Sequence, residues 1–134
     1  MEINFLAVIV SGIASWAVGS LWYSPILFGK SWQKEVGLSD EDIKGANMVL
    51  IFGTSLLLML VMALGLAPII TSHGDDITWY HGMFHGLLIG LMFIATSIGI
   101  NYLYQRKSLK LFFIDAVYQV LIVVIAGLIL GLWR

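Results

Sequence analysis

One acid stands apart from all others in this 134-residue chain. Asp115 lies five residues past Lys110, inside an apolar run with no other charge. A carboxylate in hydrocarbon costs roughly 2.5–3.5 kcal/mol on insertion scales, so such a group faces protein or water and is a functional candidate by default. Tyr118 and Gln119 follow at three and four residues, on the same helical face. Asn101 lies at a similar depth on the other side of Arg106, with Ser97 one turn deeper, and Asn47 opens a further apolar run on the same side. Together these six side chains form a candidate polar recess, open to the cytoplasm and able to receive a small ion or solute. The structural alternative is that Asp115 pairs with a nearby cation or caps a neighbouring helix.

His81 and His85 form a second group, one helical turn apart, with His73, Asp75 and Asp76 just upstream. Histidines at that spacing can chelate zinc when further ligands complete the shell, and they can sense pH. HxxxH here lacks the glutamate of a metalloprotease motif. The plainer reading is a pair of histidines bonded to neighbours or water, so no resident metal is expected. No phosphate-cradling glycine loop or nucleophile elbow occurs, and with no cysteine, thiolate chemistry and disulfides are excluded. The chain reads as a protein without enzymatic activity and without a cofactor.

The elements that must position these residues follow from composition. Hydrophobic residues make up 60% and charged residues 11%, against roughly 45–50% and about 25% in soluble domains. The solvent for so apolar a chain is lipid. A net charge of −1 argues against a nucleic-acid partner. Four long apolar runs appear, Ile3–Tyr23, Met48–Ile70, Ile77–Gln105 and Leu111–Trp133. Each has the roughly 20 residues needed to cross the hydrocarbon, and backbone groups in lipid must bond within their own segment, so each is a helix. The first run starts behind only Met1 and Glu2 and reads as a retained span, not a removed signal peptide. The expected fold is all-α: one transmembrane domain over residues 1–134, with four spans.

Between the first two spans, Pro25 ends the first helix. Phe28, Trp32 and Val36 then recur every fourth residue, with Lys30 and Lys34 facing elsewhere, as in an amphipathic helix lying along the membrane surface. Gly37 ends it. Ser39 has the chemistry of an N-cap, with Asp40, Glu41 and Asp42 in the first turn and Leu38 and Ile43 as a staple. The predicted helix starts near Asp40 and runs on into the second span, whose far end is loosened by Pro68. Lys30, Lys34, Lys44, Arg106, Lys107 and Lys110 all fall on one side, against Arg134 alone on the other. The bias places both basic loops in the cytoplasm and both termini outside, in the inner (cytoplasmic) membrane. Trp22, Tyr23, Tyr102 and Tyr104 read as aromatic anchors at the inner boundary, and Trp79, Tyr80 and Trp133 at the outer one.

Small residues recur at four-residue steps: Ala7, Ser11, Ser15 and Gly19 in the first span, Gly82, Gly86 and Gly90 in the third, Gly127 and Gly131 in the fourth. Such stripes let helix backbones approach closely in lipid. They serve packing within the bundle, and a homo-oligomer is expected to use them as well. The Leu- and Met-rich stretch 56–62 reads as packed or lipid-facing surface.

Two blocks carry a resemblance. Leu21-Trp22-Tyr23-Ser24-Pro25, Leu27-Phe28-Gly29-Lys30 and Trp32 form the first. Asn101-Tyr102-Leu103, Ser108-Leu109-Lys110-Leu111, Ile114-Asp115-Ala116 and Tyr118 form the second. In these the chain resembles a family of small, mainly bacterial membrane proteins, domain of unknown function 1761, in which a glycine often stands at the place of Val117. The resemblance implies the four-span architecture and carries no activity. The function expected from the residues is a small homo-oligomeric channel or transporter built around Asp115. The alternatives are a non-transporting scaffold or accessory subunit, and a sensor or ligand-binding protein using His81 and His85.

Overall fold

The structure, a computed structural model, describes residues 2–74 and 76–133. Asp75 of the connection after the second span, and Arg134 of the cation count, lie outside the described residues. Four helices are long and apolar enough to cross a membrane, and among the described residues there is no strand. The protein is an all-α integral membrane protein.

The first span is α1, Phe5–Trp22, capped by Asn4, whose side chain accepts from the Ala7 amide. Helix α2, Gly29–Val36, lies between the first two spans and stops at Gly37, where φ is 83°. Only glycine takes that left-handed conformation without cost. A short helix α3, Asp40–Lys44, follows, with a complete capping box between Ser39 and Asp42. The Ser39 amide, which donates to the Asp42 carboxyl, and the Ser39 hydroxyl beside it hold that carboxyl below the usual aspartate range.

One expectation fails here. The helix begun at Asp40 does not run on into the second span: it ends at Gly45, and α4, Met48–Thr71, starts afresh. Asn47 is the cause, because its side-chain oxygen captures the Leu50 amide and makes a new N-terminus. Pro68 does not stop α4, which continues to Thr71, whose hydroxyl donates to the Ala67 carbonyl one turn back.

The third span, Trp79–Tyr104, is not uniform. It comprises α5 (Trp79–Ile89), a π-helical segment (Gly90–Ala95) and α6 (Thr96–Tyr104). Such wide turns inside helices are uncommon and concentrate at functional sites. The fourth span is α7, Leu109–Leu132, capped by the Ser108 hydroxyl.

Helix α7 is the centre of the bundle. It packs most extensively on α5, and also on α1, the π segment, α4 and α6. The α5 contact is backbone against backbone. A Cβ at Gly82 would collide with the Gly127 carbonyl, one at Gly127 with the Gly82 carbonyl, and one at Gly131 would stand 2.7 Å from the Thr78 carbonyl. Gly86 and Gly90 continue the seam against Val123 and Val120. On α1, Ala7, Ser11, Ser15 and Gly19 are all buried. Both stripes are thus filled from within the chain. The core beside them combines Val8, Ala63, Leu66, Ala67 and Ile70 with Ile122, Val123, Ala126 and Leu130.

Candidate functional site

Three local structures converge on one carboxylate. The first is the end of α1, where Tyr23 forms the C-cap and the chain turns back so that the Phe28 amide bonds the Trp22 carbonyl at 3.0 Å. The second is the elbow between the third and fourth spans. The Lys107 amide bonds the Tyr102 carbonyl and the Arg106 amide bonds the Leu103 carbonyl, at 2.9 and 3.2 Å. With Arg106 at φ 56°, this is a Schellman motif with an arginine where glycine is usual. The third is α7 itself, which carries Asp115 about two turns past its Ser108 cap.

Asp115 is half-buried, and both its oxygens are taken by phenols. The Tyr23 hydroxyl donates to Oδ1 at 2.6 Å, and the Tyr102 hydroxyl donates to Oδ2. Beside it the Trp22 indole N–H donates to the Ile114 carbonyl at 3.1 Å. Tyr118 is 5% exposed, with its ring 5.0 Å from that of Tyr23 and its hydroxyl over Gly19, where any side chain would collide with it. Trp32 of α2 closes the cluster with its ring 5.7 Å from Tyr23. The Ser108 hydroxyl donates to Glu35 at 3.0 Å and ties α2 to the elbow.

The sequence-derived recess is distributed differently. Asn101 and Ser97 are exposed on α6, and Gln119 is half-buried on α7; none of them bonds Asp115. Asn47 serves as the cap of α4. The partners of Asp115 are phenols, not Arg106 or Lys110. Sequence reasoning placed Tyr23 and Tyr102 as boundary anchors and missed their hydroxyls as donors. An acid near a helix end, with tyrosines at the matching ends of two other spans, was the signal available. Both tyrosines and the acid also lie within the two blocks that carry the resemblance, so those blocks meet in space at this site.

A family model described as "Protein of unknown function (DUF1761)" matches residues 6–131. The chain belongs to the DUF1761 family. No curated protein and no solved structure matches it. In this DUF1761 protein, the four-span architecture implied by the resemblance is the one found.

The histidines occupy the other end of the bundle. His85 faces His73, not His81: their Nε2 atoms are 2.8 Å apart and their rings nearly perpendicular at 83°. The His73 Nδ1 is 2.9 Å from the Ile69 carbonyl, and the His81 Nδ1 is 3.0 Å from the Thr78 hydroxyl. Between this end and the Asp115 cluster, a crevice of about 190 Å³ separates α4 from the third span. It is lined by apolar side chains including Met59, Met62, Leu66 and Ile89, with Ser15 as its polar member.

Proposed function

We propose that this DUF1761 protein is a small membrane transport protein in which Asp115 is the group that a proton or small cation occupies, and that copies of the chain act as a homo-oligomer. The observation that carries the reading is the carboxylate held by phenols from two other spans. Phenols are neutral donors, so they satisfy the oxygens of Asp115 without supplying the positive charge that a buried carboxylate favours. A proton or cation arriving there supplies that charge and competes with at least one phenol. Because Tyr23 follows α1 and Tyr102 belongs to α6, occupancy of Asp115 then changes how two spans are joined to α7. The π segment joins the glycine seam at Gly90 and leads from it toward the site, a place where the third span can adjust.

The orientation is part of the proposal: the elbow and α2 in the cytoplasm, both termini outside, in the inner membrane. It rests on the cation bias. The competing reading, a non-transporting scaffold, is favoured by the closure of both Asp115 oxygens and by the apolar lining of the crevice. Purified protein in liposomes, tested for proton and cation movement under imposed gradients, separates the two. Transport abolished by Asp115→Asn supports the first reading, and a well-folded protein that moves nothing under any gradient supports the second.

A further inference from the structure

The geometry points to a transition-metal site at the end of the bundle opposite the elbow, with His73, two residues past the second span, and His85 of the third span as ligands and His81 as the third. The class of ion is zinc-like: a borderline-soft divalent cation that accepts imidazole nitrogen.

A carbonyl oxygen only accepts, so the His73 Nδ1, 2.9 Å from the Ile69 carbonyl, carries the ring proton. Its Nε2 is left as a lone pair facing the neighbouring span. A carbonyl on the far nitrogen is the usual outer partner of a metal-binding imidazole, fixing both ring orientation and tautomer. The His81 Nδ1 is also tethered, by the Thr78 hydroxyl at 3.0 Å, a group that can either donate or accept. The His85 Nε2 stands 2.8 Å from the His73 Nε2 and must donate a hydrogen to it. The His85 Nδ1 is then a buried nitrogen without a hydrogen-bond partner.

A metal requires a modest rearrangement. Two imidazole nitrogens at 2.0–2.1 Å on one tetrahedral ion stand about 3.3 Å apart, so the nitrogens need to separate by roughly half an ångström and the ring centres, 4.1 Å apart here, by about 1 Å as the rings turn toward the ion. Tautomerisation carries the His85 ring proton from Nε2 to its free Nδ1, so the ring binds as a neutral imidazole. His81 lies one turn from His85 on α5, at the spacing that lets two histidines share an ion; it is turned to Thr78, and among the described residues no three ligands stand ready-made around an ion, so it joins only after a rotamer change. Water completes the shell. In the second and third spans, which otherwise touch sparsely, the ion would be a cross-link over one end of the apolar crevice. The inference is independent of transport at Asp115.

The test uses full-length protein without an oligohistidine tag, stripped with chelator and titrated with cobalt(II). One equivalent should saturate a visible absorption of tetrahedral type, displaced stoichiometrically by zinc. His73→Gln and His85→Gln should each weaken binding at least about tenfold, and His81→Gln by less, on proteins whose helical content and elution match the parent. X-ray absorption on the parent's cobalt complex should show scattering from two or three imidazoles, a readout that does not depend on any variant folding. Absence of saturable binding by the folded parent overturns the site. So does a complex without imidazole scattering, or unchanged affinity in the His73→Gln/His85→Gln double variant.

Discussion

The second and fourth spans are near twins in length and hydropathy and opposites in the fold. Each is a 24-residue helix, with mean hydropathy of 2.5 for α4 and 2.4 for α7 over its most apolar stretch, yet 11% of that stretch is buried in α4 and 50% in α7. Apolarity therefore decides only that both enter lipid. What decides burial is the residues that allow close approach or demand a partner. Helix α7 has Gly127 and Gly131 seated against α5, Asp115 bonded by two phenols, and Tyr118 lodged over Gly19. Helix α4 has two glycines as well, but a Cβ at Gly53 or Gly65 would meet nothing within 4 Å. A glycine without a facing backbone is not a contact.

The most disruptive way to probe this contrast is Gly82→Leu. The atoms in its path are α7 backbone, which cannot rotate aside as a side chain can, so the loss should exceed the usual 1–3 kcal/mol of overpacking and part the α5–α7 seam. Gly53→Leu should leave the elution profile unchanged. Equal disruption by both would mean that α4 is covered after all, by a second copy.

Next in size is the phenol clasp. Tyr102→Phe leaves one Asp115 oxygen without its donor and should cost about 1.5–3 kcal/mol, the range for hydrogen bonds to charged groups, measured as thermal stability in detergent. Tyr23→Phe should cost a similar amount. Because both act on one carboxylate, the double variant should depart from the sum of the two losses. Strict additivity would show that the phenols are not coupled through Asp115.

Arg106→Gly tests the elbow. Arginine at φ 56° sits where glycine is free of the Cβ clash, so the substitution should raise stability by on the order of 1 kcal/mol. A fall would show that the arginine side chain contributes more than its backbone costs.

The smallest effect is expected at α3. Because Asp42 has its carboxyl below the usual range, through the amide and hydroxyl of Ser39, its stabilising contribution is present above the unfolded value, about 3.9. It should be lost as pH falls through the lower folded value. Amide protection factors in residues 40–44, taken relative to the intrinsic exchange rate at each pH, should therefore fall under acid more than those in α7. An equal fall in both would remove the capping box as the cause.

The four spans, the α2 helix and the cap at Ser39 were legible because each depends on local pattern: run length, four-residue recurrence, an Ser-to-Asp box. The break at Gly45–Asn47 was less so, since Asn47 could either cap or sit in a longer helix, and its capture of the Leu50 amide decided the matter. The π segment has no comparable local signal. Asp115 stood out by its cost in lipid, but its partners are 92 and 13 residues away in sequence. Tyr23 and Tyr102 each had an adequate separate explanation as boundary anchors. The pairing of His85 with His73 was hidden in the same way, because His81 was the neighbour in sequence and His73 the neighbour across spans.

The most direct measurement of the central claim is transport and thermal stability of Asp115→Asn on one preparation in liposomes. The amide keeps the shape and can still accept from one phenol, so folding should persist with a loss of about 1–3 kcal/mol. Proton or cation movement should fall to the level of empty liposomes while the protein remains folded. Transport retained at the parental rate by a folded Asp115→Asn protein would contradict the claim and leave Asp115 as a joint between three spans.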